Sequence, residues 1–144
     1  MALYLDTSCL LKLLFSEPES ARVAQIIAAE KRVIVSSLGR LEALVRIRAR
    51  RLSGSISAAE GRRLLRALDR LTSAEPFVTL DCPVTIFKDA ERQLASGISR
   101  TCCRTLDRLH LAAALALEAK RLLTNDDAQA RAAKALKLRV VIPR

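Results

Sequence analysis

The stretch A-L-Y-L-D-T-S at residues 2–8 places an acidic residue, Asp6, directly after a short apolar run. An apolar run of this length, bounded by polar residues, is typical of a buried β-strand. Runs of the same character predict strands at residues 2–5, 33–35, 77–80, 121–124 and 138–142. Helical patterns lie between or beside them, at 9–15, 17–31, 37–53, 57–73, 84–96, 105–119 and 127–136. This alternation predicts an α/β fold in which helices cover both faces of a parallel sheet.

Composition restricts the class of protein. A chain of 144 residues fits one domain, here 1–144, and an apolar fraction of 51% supports a buried core. The formal net charge of +10 favours an anionic partner, either nucleic acid or an acidic protein, although solubility alone is the simpler alternative. Aromatic residues make up only 3% of the chain, which argues against a platform of stacked aromatic rings for bases.

The cysteines do not predict a metal site or a disulfide framework. Cys9, Cys82, Cys102 and Cys103 contain no C-x-x-C pair, and the single histidine, His110, is not spaced for zinc. Reduced thiols in a cytoplasmic protein are therefore expected. The chain start lacks a charged leader, and its apolar run near residues 10–15 is interrupted by a lysine, so neither a signal peptide nor a membrane span is predicted.

Two acidic residues follow predicted strands. Asp6 ends the first strand, and Asp126 lies shortly after the fourth. Ligands of open parallel sheets bind at the carboxyl ends of the strands, so these acids are expected to share one edge. The alternative is that each simply caps the helix that follows it. Asp127 could cap the last helix and leave Asp126 available, and the sequence leaves that choice open.

The position of Glu42 on its predicted helix indicates a functional role more strongly than the positions of the other acids do. At 100° per residue, it falls within the apolar stripe formed by Leu38, Leu41, Val45, Ala49 and Leu52. If that stripe faces the core, the carboxylate needs a cation or several hydrogen-bond donors. A metal or another functional use is favoured, and the alternative is a buried salt bridge with an arginine.

Asp107 opens the helix at 105–119, which is apolar on nearly every side and is therefore expected to be buried. Its alternative role is a favourable charge at the positive end of the helix dipole. His110 lies one turn later on the same face, where packing or support of another residue is the more common role. Asp81 also ends a strand, but Pro83 beyond it suits a helix start, so an N-cap explains Asp81.

A basic helical hairpin is predicted at about residues 37–73. Residues 40–70 contain nine arginines and three acids, on two helices joined by a turn at 53–55. Arginine suits bidentate phosphate contacts, so Arg46 and Arg50 are candidate RNA-binding residues, with a solvated surface as the alternative. Capping boxes are predicted at Ser16–Glu19 and Ser57–Glu60.

Four acidic motifs occur in a characteristic order: Y-L-D-T-S at 4–8, S-S-L-G-R-L-E at 36–42, T-L-D-R-L-H-L-A-A-A at 105–114 and L-L-T-N-D-D at 122–127. Together they span essentially the whole chain, which resembles a PIN domain, and most closely the small VapC-type toxins of bacterial toxin–antitoxin pairs. The resemblance implies a three-layer α/β/α sandwich with a central, mainly parallel sheet of about five strands.

The resemblance also implies a function and its residues. It makes Asp6, Glu42, Asp107 and Asp126 the catalytic metal site, for Mg²⁺- or Mn²⁺-dependent cleavage of RNA. Supporting positions would be Ser8 and Thr124, with Asp127 as a competing choice for the fourth acid. Homodimers and an antitoxin that blocks the site are implied as well. The alternative is a non-catalytic PIN-like module that binds RNA or protein. A haloacid-dehalogenase-like phosphatase is disfavoured because Ser8 stands where a second acid would be required.

Overall fold

The protein is built on one parallel sheet. The structure, a computed structural model, describes residues 1–96 and 102–144. Its strands are β1 (Leu3–Leu5), β2 (Val33–Ser36), β3 (Phe77–Leu80), β4 (Arg121–Leu123) and β5 (Arg139–Val141). They form a five-stranded sheet in the order β3-β2-β1-β4-β5, with every neighbouring pair parallel. The predicted α/β class and the parallel five-stranded sheet are confirmed.

Helices fill the connections between strands. They are α1 (Thr7–Leu14), α2 (Ser20–Ala28), α3 (Ser37–Leu52), α4 (Ala58–Ser73), α5 (Ile86–Ala95), α6 (Thr105–Ala116) and α7 (Asp127–Ala135). A turn joins α3 to α4 through Gly54, whose φ of 78° is a backbone conformation that glycine adopts without a steric penalty. Within the described residues, no helix combines the length and apolar character needed to cross a bilayer.

The sheet separates two apolar cores. Leu3 and Leu5 of β1 point to the layer formed by α1 to α4, whereas Tyr4 between them points to the layer of α5 to α7. This division follows from the alternation of side chains along a strand. Helix α6 is buried from Asp107 to Ala114, as its apolar sequence predicted. The outcome is the expected three-layer α/β/α arrangement.

The predicted core face of α3 was wrong. The buried residues of α3 are Gly39, Ala43 and Ile47, which are spaced by four; Ala43 and Ile47 belong to the core between the sheet and α1 to α4. Leu38 of the predicted stripe is half-buried and packs against the core on the other side of the sheet. The other large residues of the stripe point to solvent, with exposed fractions of 58% for Leu41, 57% for Val45 and 72% for Leu52. Residue hydrophobicity alone would have ranked these leucines as inner residues.

Two predicted helix starts also need correction. Ser16 does not cap α2, which begins at Ser20 after an N-cap at Glu19; instead, Glu17 and Glu19 both accept hydrogen bonds from the buried Lys12, each at 2.8 Å. Asp81 is not an N-cap, because α5 begins only at Ile86. The cap at Ser57 is confirmed: its hydroxyl accepts the backbone N–H of Glu60 at 3.1 Å.

Candidate active site at the carboxyl edge of the sheet

The order of the strands defines a crevice beside β1. From β1 the chain moves outward to β2 and β3, and then returns to place β4 on the other side of β1. The carboxyl ends of β1 and β4 therefore lie at the point where the strand order reverses, which is the usual ligand-binding position of an open α/β sheet. Asp6 and Asp126 follow these two strands, so both come to that edge.

Asp6 is held by several donors although it is almost fully buried, with 4% exposed. Its Oδ2 accepts the Ser8 hydroxyl at 2.6 Å, the Ser8 backbone N–H at 3.4 Å and the Thr124 hydroxyl at 3.2 Å. The side-chain amide of Gln129 donates to Oδ1 at 3.4 Å. Asp6 also caps α1, so its predicted alternative role as an N-cap and its place at the sheet edge occur together.

Asp126 is linked to Asp6 through shared neighbours. Its carboxylate caps α7 by accepting the backbone N–H of Gln129 at 2.7 Å, and its own N–H donates to the Thr124 hydroxyl at 3.1 Å. The sequence left open which of the two neighbouring acids caps α7, and the structure places that role on Asp126. The side chain of Asp127 is 58% exposed and pairs with Arg144 at 3.0 Å.

Asp107 lies in the first turn of α6 and is only 6% exposed. Its Oδ2 accepts a hydrogen bond from Nε of Arg104 at 3.0 Å. The Arg104 side chain is 81% exposed, so a guanidinium group reaches from solvent onto a buried carboxylate. The hydrogen bond with Asp107 and its negative charge raise the pKa of Arg104.

Glu42 belongs to a hydrogen-bond network of its own. Its Oε1 accepts the Thr7 hydroxyl at 2.8 Å and also contacts Nε2 of His110. Burial raises the pKa of Glu42, but its interactions with His110, Thr7 and Arg104 outweigh burial, so the net pKa is lowered. Among the described residues, the hydrogen-bond partners of Glu42 are a threonine and a histidine rather than the arginine of the predicted alternative.

Arg104 interacts electrostatically with all four acids. The charges of Asp126 and Asp6 add to that of Asp107 in raising the pKa of Arg104. The charge of Arg104 in turn contributes to the lowered pKa of Glu42. Acids from four separate stretches of sequence are thus within electrostatic range of one guanidinium group.

The side chains suit a divalent metal by their chemistry. Carboxylate and amide oxygens are the hard ligands that Mg²⁺ and Mn²⁺ prefer. Beside Asp6, the buried Oε1 of Gln129 has no hydrogen-bond partner among the described residues, so an oxygen acceptor remains available there. No group of three acidic, histidine or cysteine side chains within 1–96 and 102–144 already has the spacing of a metal shell. Each carboxylate is instead turned toward a protein donor.

Sequence reasoning missed several polar residues of this region. Arg104 stands three positions before Asp107, a spacing at which opposite charges meet on a helix, so this pair could have been recognised. Gln129 is the one long polar residue on an alanine-rich buried face of α7, which was a second available signal. Thr7 carried no signal beyond its position next to Asp6, because threonine is common at helix starts.

The two predicted RNA-binding arginines, Arg46 and Arg50, differ in their contacts. Arg46 is exposed on α3. Arg50 lies over the ring of Phe15, with its Cζ 3.8 Å from the ring centroid, and approaches Glu17 at 3.6 Å. Its side chain is still 44% exposed. Arg50 therefore helps to join α3 to the loop after α1, whereas Arg46 is available to a partner.

Comparison with known proteins identifies the family. Residues 3–135 match the PIN domain, and the chain belongs to the PIN-domain family. The resemblance predicted from the four acidic motifs is therefore confirmed.

Curated and solved relatives agree with this assignment. The chain is 33% identical to Ribonuclease VapC46 of Mycobacterium tuberculosis over 99% of its own length and 98% of that protein. The crystal structure of VapBC2 from Rickettsia felis, bound to a promoter DNA fragment, has a TM-score of 0.71 at 15% identity, with 99% and 98% of the two chains covered. VapC20 of M. tuberculosis, described as a toxin that cleaves the sarcin–ricin loop, has a TM-score of 0.67 at 14% identity, with 89% and 93% covered.

Proposed function

We propose that this protein is a metal-dependent endoribonuclease and the toxin of a toxin–antitoxin pair. The observation that supports the proposal is that Asp6, Glu42, Asp107 and Asp126, from four separate stretches of sequence, all interact electrostatically with Arg104. Two of them, Asp6 and Asp107, are nearly fully buried, which is costly for ionised groups unless a cation or strong donors are present. The relative named as a ribonuclease is similar over almost the entire chain.

In this proposal Asp6, Glu42, Asp107 and Asp126 would hold Mg²⁺ or Mn²⁺. A bound metal supplies a water of lowered pKa and neutralises charge on the scissile phosphate. Ser8 and Thr124 keep the Asp6 carboxylate in place, because both hydroxyls donate to the same oxygen. Arg104 pairs with Asp107 and is largely exposed, so its guanidinium group would also be in a position to bind a substrate phosphate.

The substrate is RNA in this proposal because the protein surface is strongly basic. The chain has a formal net charge of +10, and the predicted basic hairpin at about 37–73 supplies much of it. Arg46 and Arg50 are proposed to contact phosphates. Such contacts position the nucleic acid without reading its bases, so the choice of RNA must come from other features.

The partners proposed are a cognate antitoxin and a second copy of the chain, in the cytoplasm. Similar proteins were solved as toxin–antitoxin complexes, among them VapBC2 of Rickettsia felis. The exposed apolar residues of α3 support a protein contact, since Leu41, Val45 and Leu52 together leave large side chains in solvent.

The decisive experiment is incubation of the purified protein with end-labelled RNA in Mn²⁺ or in EDTA. Cleavage in Mn²⁺ alone is expected for the wild type, and none for Asp6→Asn or Asp107→Asn. Asp89→Asn is the matched control, because Asp89 is an acid outside the site that pairs with Arg92 at 2.9 Å. Retention of RNA without cleavage would identify a non-catalytic binding module, and failure to bind either RNA or Mn²⁺ would identify a protein-interaction module.

A further inference from the structure

A network of buried hydrogen bonds connects the core between the sheet and α5 to α7 with the acid site. The Tyr4 hydroxyl lies 2.7 Å from the Ser36 hydroxyl and 2.7 Å from Nδ1 of His110. On the other side of the imidazole ring, Nε2 contacts Oε1 of Glu42 and lies 3.2 Å from the Thr7 hydroxyl. Tyr4 and Ser36 are 0% exposed and His110 is 1% exposed. Among the described residues of this network, Glu42 is the most accessible to solvent, with 25% of its side chain exposed.

The chemistry of Glu42 fixes one donor of this network. A carboxylate only accepts hydrogen bonds, so Nε2 of His110 carries the proton that it donates to Glu42. On the opposite side of the ring, Nδ1 is hydrogen-bonded to the Tyr4 hydroxyl. Ser36 completes the network, because its hydroxyl is hydrogen-bonded to the Tyr4 hydroxyl and also accepts the backbone N–H of Gly39 at 3.1 Å.

We infer that Tyr4 and His110 are positioning residues that fix the orientation of the Glu42 carboxylate for the metal site. Both donors to Glu42, Thr7 and His110, act on Oε1. They therefore leave Oε2 as the oxygen that can turn toward a cation. This inference rests on the proposed function, since it assigns a role at the same site.

The alternative is that the network only stabilises the fold. Tyr4 and His110 are both in the second core and their rings meet edge to face, with centroids 5.8 Å apart. A packing role predicts that loss of the Tyr4 hydroxyl changes the melting temperature and leaves metal affinity unchanged. A positioning role predicts a change of metal affinity, because partners that orient metal ligands typically contribute about 10–100-fold to metal affinity or activity.

The test uses Tyr4→Phe, which removes one oxygen and keeps the ring. Mn²⁺ binding is measured by titration calorimetry, and kcat and KM are measured with labelled RNA. The dissociation constant for Mn²⁺ is expected to rise about tenfold and kcat to fall by a similar factor, with KM for RNA unchanged. Thr72→Val is the matched control: it removes a different buried hydroxyl, one that donates to Leu68 at 2.8 Å, and should leave Mn²⁺ affinity unchanged.

A double-mutant cycle shows whether Tyr4 acts through Glu42. Tyr4→Phe should have no further effect on Mn²⁺ affinity in a Glu42→Gln background, because the group being oriented has lost its charge. Fully additive effects of the two substitutions on Mn²⁺ affinity would overturn the inference.

If Tyr4→Phe fails to fold, His110→Gln and His110→Leu are compared instead. The glutamine amide can still donate to Glu42, so His110→Gln should bind Mn²⁺ more tightly than His110→Leu. Equal Mn²⁺ affinities of these two variants would also overturn the inference. If the wild-type protein neither binds Mn²⁺ nor cleaves RNA, the proposed function itself is refuted. If the wild type is active and Tyr4→Phe has the same Mn²⁺ affinity and kcat, only this inference is refuted.

Discussion

The acid site and the basic hairpin use charge in opposite ways. At the acid site, Asp6 and Asp107 are 4% and 6% exposed, and each has a defined protein partner. On the hairpin of α3 and α4, the charged side chains are mostly exposed, and pairs such as Arg63 with Glu60 join neighbours on the same helix. Buried charge requires a fixed geometry, whereas exposed charge acts mainly through its field and is screened by salt.

This difference leads to different expectations for substitutions. Loss of one buried acid should remove a defined ligand and alter activity sharply. Loss of one exposed arginine should change RNA affinity gradually and in a salt-dependent way. The following experiments test that distinction, from the largest expected effect to the smallest.

Asp6→Asn is expected to have the largest effect. Cleavage should fall by more than about a hundredfold, since even partners that merely orient a metal ligand contribute about 10–100-fold. Without metal, the variant should melt at the same temperature as the wild type or higher, because removal of one negative charge relieves repulsion among the acids and asparagine remains a good N-cap. A clear drop in the metal-free melting temperature by circular dichroism would instead indicate a structural role for Asp6.

The position of the acid site was predictable because strand ends are readable in the sequence. Asp6 and Asp126 follow apolar runs, and parallel pairing necessarily brings the ends of β1 and β4 to one edge. The partners that hold these acids were much less predictable. Thr7 has no sequence pattern of its own, and Gln129 stands out only as a long polar residue among alanines. The contacts of both depend on the way α1 and α7 pack against the sheet.

Helix α3 shows where sequence periodicity fails. Most of the leucine and valine stripe predicted as core is exposed, and the row of Gly39, Ala43 and Ile47 is buried instead. Periodicity indicates that a helix has an apolar side, but the tertiary packing decides which row of side chains is buried. Glu42 lies beside the buried row. Its selection as a site residue therefore rested on a stripe of leucine and valine that was incorrectly predicted to face the core.

Arg104→Ala tests whether the guanidinium group competes with a metal. Its charge lies 3.0 Å from the Asp107 carboxylate, so its removal should tighten Mn²⁺ binding by roughly threefold to tenfold, a modest factor because the side chain is largely in solvent. At the same time, KM for RNA should rise if Arg104 contacts a phosphate. Calorimetry and cleavage kinetics measure the two effects.

Arg92→Ala is the matched control for Arg104→Ala. Arg92 pairs with Asp89 at 2.9 Å with the same spacing along a helix, but away from the acid site. This substitution should change neither quantity. Weaker Mn²⁺ binding after Arg104→Ala would contradict a competing role for the guanidinium group.

Arg46→Ala should lower the salt dependence of RNA binding. Loss of one phosphate contact reduces the slope of log affinity against log salt by about 0.7 for single-stranded RNA. Arg50→Ala should lower the slope too, and it should also destabilise the fold by about 0.5–1 kcal/mol, because this guanidinium group stacks on Phe15. Binding measured at several salt concentrations checks the slopes, and an unchanged slope for both variants would exclude α3 from the RNA-binding surface.

Asp127→Asn is expected to have the smallest effect, and it distinguishes the two neighbouring acids. Asp127 is mostly exposed and pairs with Arg144, and an exposed ion pair contributes only about 0–1 kcal/mol. Its substitution should leave Mn²⁺ affinity and cleavage within about twofold of the wild type, whereas Asp126→Asn should reduce both strongly, by the factor of about 10–100 expected at a metal site. Equal losses for the two variants would show that α7 presents both acids to the metal, and the cap at Asp126 would then have to open when the metal binds.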